Sequence, residues 1–156
     1  MKTLVVYATK YGATTKAVEI LKTHLKSEVV IVNLKEETHP PLSEFDAVIF
    51  GSAVYMGTLR KEARTFMRLH EDELLSKKLG LFLCCGQKES AEELAQKNFP
   101  QKIWQNAAAF GFFGYAYQLE KMNFFERLIL KKAAGLQDSV WNIEESNIKE
   151  FARQLK

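Results

Sequence analysis

Cysteine is nearly missing from this chain of 156 residues: it has two, adjacent at Cys84 and Cys85. Neighbouring cysteines close only a strained ring and offer no metal-ligand spacing, which excludes a disulfide framework and a structural zinc site. They read as buried thiols at a strand end. The three histidines, His24, His39 and His70, are scattered, so no metal centre is expected. No stretch approaches the roughly 18 consecutive apolar residues of a membrane span. The opening MKTLVVYATK runs into a strand-like segment with no cleavage-type site, so a cytoplasmic protein is expected. A charge of +3 is mild, and the basic residues are dispersed without a nucleic-acid-binding motif, which argues against a nucleic-acid partner. Prolines number three, and two of them fall in one loop, KEETHPPLSEF.

What is abundant is apolar sequence, 47% of residues, enough for one well-buried domain over 1–156 and too little chain for two. Runs rich in β-branched and aromatic residues recur at Leu4–Tyr7, Val29–Val32, Ala47–Phe50, Leu79–Cys85 and Ala107–Tyr117, each reading as a strand. Helix-period segments lie between them at Thr14–Lys26, Leu59–His70 and Ala91–Asn98, while the proline-bearing loop holds at most a short helix. The strands are apolar throughout instead of at every second residue. That pattern predicts an α/β domain, a parallel five-stranded sheet covered by helices on both faces. After the fifth strand come an additional amphipathic helix, Lys121 to about Gly135, and a closing helix at Glu145–Leu155.

Ligands of open α/β sheets sit at the carboxyl ends of the strands, and a helix start there presents free N–H groups and the positive end of its dipole. The stretch Thr9-Lys10-Tyr11-Gly12-Ala13-Thr14-Thr15 occupies that place after the first strand. Gly12 permits close backbone approach, and the threonine hydroxyls can donate to phosphate oxygens. The stretch therefore reads either as a phosphate cradle or as a helix cap with a glycine turn. No G-x-G-x-x-G follows a strand and no G-x-x-x-x-G-K-[ST] occurs, which excludes a dinucleotide fingerprint and a nucleoside-triphosphate loop. A phospho-acceptor receiver needs a carboxylate where the chain has Tyr7-Ala8-Thr9. A cysteine phosphatase needs an arginine where Ser90 and Ala91 follow the cysteines.

Tyr7, Thr9, Gly12, Thr14, Ala17 and Ile20 together resemble the mononucleotide loop of the flavodoxins. That resemblance implies a flavodoxin-like three-layer sandwich with strand order 2-1-3-4-5 and flavin mononucleotide (FMN) as cofactor. It implies that Thr9, Lys10, Tyr11, Gly12, Ala13 and Thr14, with Thr15 beside them, hold the phosphate. By the same resemblance the isoalloxazine ring lies against Ala53, Val54, Tyr55, Met56 and Gly57 on one side. Tyr55 is placed to stack on it, and Gly57 to let the preceding peptide turn over. Cys85, Gly86 and Gln87, in the loop after the fourth strand, cover the other side. No residue stands out as a general base, and none is assigned catalysis, because a bound flavin does its own chemistry.

Over the whole chain the resemblance is nearest to the menaquinone-dependent protoporphyrinogen oxidase branch, carried by GSAVYMGTLRKEARTFM, NFFERLILKKAAG and IKEFARQL. The loop after the fourth strand departs from that branch, being shorter and of mixed charge. Three functions follow: electron transfer through bound FMN to a redox partner protein or quinone, protoporphyrinogen oxidation in heme biosynthesis, or a non-catalytic interaction domain, which the intact loop disfavours. A pI of about 8.8, with Arg60, Lys61 and Lys88 flanking the ring loops, implies a higher reduction potential than an acidic flavodoxin's. In the additional helix, Met122, Phe125, Ile129 and Ala133 share a stripe that Phe124 and Leu128 widen, with Lys121, Arg127, Lys131 and Lys132 beside it. Packing on the sheet is the first expectation for that stripe. Peripheral contact with anionic lipid at the inner membrane face is the second.

Overall fold

A computed structural model of the chain describes residues 1–38, 40–86, 88–117, 122–134 and 140–156. Strand β1 (Lys2–Ala8) pairs in parallel with β2 (Glu28–Asn33) on one side and β3 (Ala47–Tyr55) on the other. The two-residue β4 (Thr58–Leu59) folds back antiparallel on the end of β3. β5 (Lys78–Cys84) then pairs with β3, and β6 (Ala109–Phe112) with β5, both in parallel. The main sheet thus runs β2-β1-β3-β5-β6, which is the expected order.

Successive strand residues point to opposite faces, and here both faces are covered, which is why the strands read as unbroken apolar runs. Leu4, Val6, Val48, Phe50, Leu81 and Leu83 join one core with Phe66 of α2 (Lys61–Leu75), Ala95 of α3 (Ala91–Asn98) and Ile103 of α4 (Gln101–Asn106). Val5, Tyr7, Ile49, Phe82 and Cys84 join the other with Leu21 of α1 (Ala13–His24) and Phe151 of α6 (Glu145–Gln154). Between β2 and β3 no helix forms among the described residues. Leu34, Leu42 and Phe45 of the loop fill the core there instead.

Several boundaries differ from the sequence reading. Leu59 belongs to β4, and α2 continues beyond His70, where the backbone kinks (φ −119°, ψ 19°). The apolar run Ala107–Tyr117 is two strands, because the chain leaves the main sheet after Phe112. At Gly114 it takes φ 92°, and β7 (Gly114–Tyr117) pairs antiparallel with β8 (Val140–Ile143), a strand the sequence did not suggest. Between β7 and β8 lies the additional helix, α5 (Phe124–Ala134). Most of its apolar stripe does not pack on the sheet as first expected: Phe124 and Phe125 are 73% and 71% exposed, and Leu128 and Ile129 also face solvent, whereas Met122 just before the helix is buried and the Ala133 side chain lies outside the described residues. Lys121 and Gly135, the expected ends of that helix, lie outside the described residues.

Candidate functional site

At the carboxyl end of the sheet, the loop from β1 to α1 closes on itself: the Gly12 N–H donates to the Thr9 hydroxyl at 3.2 Å. Gly12 then takes φ 87°, a left-handed conformation that costs an L-residue about 1–2 kcal/mol. It serves as the N-cap of α1 with no side-chain cap. Lys16 is the first residue whose N–H reaches back, to the Gly12 carbonyl at 3.3 Å. The N–H groups of Ala13, Thr14 and Thr15 therefore precede the first intrahelical bond and form the positive end of the helix dipole.

Beside this helix start lies a cavity of about 550 Å³, within the range of pockets that take drug-sized ligands. The β1–α1 loop and the start of α1 contribute Thr9, Lys10, Tyr11 and Ala13, and the end of β3 with the turn after it contributes Ala53, Val54, Tyr55, Met56 and Gly57. Cys84, Cys85 and Gly86 of the loop after β5 close the far side. Gly12, Thr14 and Thr15 are not on the lining. Thr14 is fully buried, and the Thr15 hydroxyl bonds with that of Tyr7 at 3.0 Å. Gln87 lies outside the described residues.

The β3–β4 connection is a two-residue turn, Met56 at φ 54° and Gly57 at φ 79°, both left-handed, as tight antiparallel hairpins require. One side chain from α3 fixes it. Asn98 donates to the carbonyls of Gly57 at 3.0 Å and Leu94 at 2.8 Å, and accepts from the Leu59 N–H at 3.2 Å. At the foot of β3 the Arg60 N–H donates to the Ser52 hydroxyl at 3.1 Å.

A further wall comes from residues that the sequence did not single out for the site. Tyr115 and Ala116 of β7, with Met122, Glu126 and Ile129 on or beside α5, line the cavity, as does Leu94; Arg60, expected beside the ring loops, lines it too. The β7–β8 hairpin is pinned there: the Cys85 N–H donates to the Gly114 carbonyl at 3.0 Å, and the Glu144 N–H to the Phe113 carbonyl at 3.0 Å. Asn123 caps α5 through the Glu126 N–H at 2.9 Å. Glu126 then reaches across the cavity to the Lys10 ammonium at 2.7 Å. The Asn-x-x-Glu capping signature of Asn123 and Glu126 is the one local signal that bears on Glu126.

Charge and unmet hydrogen bonding indicate what fits here. Among the described residues Lys10 and Arg60 are the cations of the lining, and Glu126 is its one carboxylate. The Lys10 ammonium lies 4.5 Å from the Tyr55 ring centre and 5.1 Å from that of Tyr11. The Tyr11 hydroxyl and Arg60 Nε are buried with no hydrogen-bond partner, a costly state that a polar ligand group relieves. Burial pushes the Cys84 thiol up to about 12, outweighing the neighbouring Thr14 hydroxyl, which favours the thiolate. Thr14 Oγ1 itself is buried without a formed hydrogen bond, and a buried thiol held protonated is a poor nucleophile. Among the described residues no group of acidic, histidine or cysteine side chains is placed to hold a metal ion. The lining thus joins apolar and aromatic side chains to cations and buried polar atoms without partners.

Comparison with known proteins agrees with the fold. In fold the chain is similar to Fusobacterium nucleatum flavodoxin bound to flavin mononucleotide (12% identity, TM-score 0.60, 99% of this chain and 96% of that one). It is likewise similar to oxidised Flavodoxin 1 from Bacillus cereus (15%, TM-score 0.59, 99% and 97%). It also matches rubredoxin oxygen:oxidoreductase from Desulfovibrio gigas (12%, TM-score 0.55), of which it spans 36%, as it does of the Flv1 flavodiiron core from Synechocystis sp. PCC6803. No curated protein matches. A flavodoxin-domain family model matches residues 4–139, and the chain belongs to the flavodoxin family.

Proposed function

We propose that the chain binds FMN in this cavity and serves as an electron-transfer domain. The observation that carries the reading is the start of α1, an uncapped helix with a left-handed glycine, opening beside a cavity that holds cations and unpartnered polar atoms. On this reading Thr9, Lys10, Tyr11, Gly12, Ala13, Thr14 and Thr15 form the phosphate end. Tyr55, Met56 and Gly57 stand on one side of the ring and Cys85, Gly86 and Gln87 on the other, with Tyr115 and Met122 as the added wall. Bound flavin supplies one- and two-electron redox chemistry. The chain's own part is to orient the cofactor, exclude water and set its potential.

Incubation with FMN, desalting and a visible spectrum test the reading. We expect a bound flavin spectrum from the natural protein and none from Gly12→Val, with the fold retained by circular dichroism. No flavin retained at micromolar FMN overturns it.

A second reading has the charge of the site in its favour. With Arg60 on the lining, Lys10 there being paired with Glu126, and a pI of about 8.8, a raised potential suits a quinone acceptor, and the branch resemblance names the pair: protoporphyrinogen as donor and menaquinone as acceptor. It places the protein in the cytoplasm, peripheral to the inner membrane face. Anaerobic assay with protoporphyrinogen and a menaquinone analogue decides it: turnover supports the enzyme, and its absence in flavin-loaded protein leaves electron transfer to a protein partner.

A further inference from the structure

We infer that the outward face of α5 is a docking surface for an anionic lipid surface. The inference deepens the proposed function by naming the surface at which it operates, and it rests on that reading only for what the contact delivers. The helix has two unlike sides. At about 100° per residue, Glu126 and the cavity-lining Ile129 lie toward one side, and Phe124, Leu128 and Lys131 lie nearly opposite Glu126. On the outward side, Phe124, Phe125 and Leu128 are exposed, and so are Arg127, Lys131 and Lys132 around them.

The charge is sorted as well as the apolar surface. Glu126 is the only acidic residue between 124 and 134, and it is turned inward, its side chain 11% exposed and paired with Lys10 of the β1–α1 loop. Every charge left facing outward is positive. Exposed phenylalanine and leucine among lysines and arginine, with Glu126 of α5 turned away from them, complement an interface of anionic headgroups over acyl chains, the chemistry of an amphipathic helix lying in the membrane plane. No helix among the described residues is long and apolar enough to cross a membrane, so the contact is peripheral. Ile129, exposed and on the cavity lining, sits where this face meets the pocket. Docking brings the mouth of the cavity to the lipid phase, where an apolar electron carrier dissolves.

Sedimentation of the whole protein with phosphatidylglycerol-containing vesicles tests this, with pure phosphatidylcholine vesicles as control and with FMN-loaded and FMN-free protein in parallel. We expect binding to the anionic vesicles at low ionic strength that weakens as salt is added. Reversing Lys131 and Lys132 to Glu should reduce it by at least about thirty-fold, since each basic residue near such a surface contributes several-fold. Phe124→Ser with Phe125→Ser should abolish it, with fold and FMN content unchanged because both rings are exposed. Three results overturn the inference: no binding at low salt, binding that ignores the phenylalanine changes, or self-association that the phenylalanines govern without vesicle binding, which assigns the face to a second copy. Failure to take up FMN with vesicle binding intact removes the cofactor reading and leaves the docking surface standing.

Discussion

Asn98, the last residue of α3, donates its amide to the Gly57 carbonyl at 3.0 Å while accepting the Leu59 N–H at 3.2 Å, and so holds the second turn residue and β4, the outgoing side of the turn that borders the proposed flavin ring. Nothing else from α3 is hydrogen-bonded to that turn among the contacts described. Asn98→Ala removes these two bonds and the one to Leu94, each of about 0.5–1.5 kcal/mol net. We expect a loss of roughly 2 kcal/mol in stability by urea unfolding and about a tenfold weaker FMN affinity by fluorescence titration. The exposed neighbour Gln96→Ala is the control. Equal affinity in the two variants shows that the turn keeps its shape without Asn98.

How far the sequence spoke depended on whether each feature was local. The central strands β1, β3 and β5 were legible because both of their faces are buried, so they carry apolar residues at nearly every position. The break inside Ala107–Tyr117 was not. Its apolar character runs unchanged through Phe112 and Phe113, and only the conformation of Gly114, visible in three dimensions, separates β6 from β7. Two strips of the site, after β1 and at the end of β3, stood out through glycines, threonines and a tyrosine at strand ends. The wall of Tyr115, Met122 and Glu126 did not, because it reaches the site only through contacts such as Lys10 to Glu126, 116 residues apart. The apolar stripe of α5 was expected to be buried by its periodicity, yet amphipathicity says only that two sides differ, not which side meets the protein.

Gly114 and Gly57 share a left-handed backbone and differ in what surrounds them. A Cβ at Gly114 would lie 2.2 Å from the Asn142 carbonyl oxygen and 2.8 Å from the Glu144 nitrogen, both backbone atoms; at Gly57 nothing lies within 4 Å. Gly57→Ala should therefore cost only the conformational strain, about 1–2 kcal/mol. Gly114→Ala adds displacement of β8 and should cost about 3 kcal/mol or more. It should also weaken FMN binding, since β7 carries Tyr115 and Ala116. Equal thermal midpoints for the two variants contradict the close approach of β7 to β8.

Cys84 gives a pH dependence with a definite sign. Burial raises its thiol from 9.0 to about 12 in the folded chain, so between those values the unfolded state has lost a proton that the folded state keeps. Stability from this group is complete below about pH 9 and is lost as pH climbs toward 12. In a Cys85→Ala background, where Cys84 is the sole thiol, we expect no reaction with iodoacetamide at pH 8 until urea unfolds the protein. Rapid labelling of the folded protein contradicts the buried, protonated thiol.

Arg60 and Glu126 face the same cavity with opposite charge, and reducing a flavin adds negative charge, so the two should move its potential in opposite directions. One unit charge about 10 Å away at an effective dielectric near 20 corresponds to roughly 1.7 kcal/mol, or about 70 mV for one electron. Arg60→Gln should lower the potential of bound FMN by tens of millivolts. Glu126→Gln should raise it, because the Lys10 ammonium then loses the carboxylate that neutralises it at 2.7 Å. Both changes should shrink with added salt. Potentiometric titration of the natural protein and the two variants checks this, and shifts of the same sign show that the charges reach the flavin by altering its seat, not through their field.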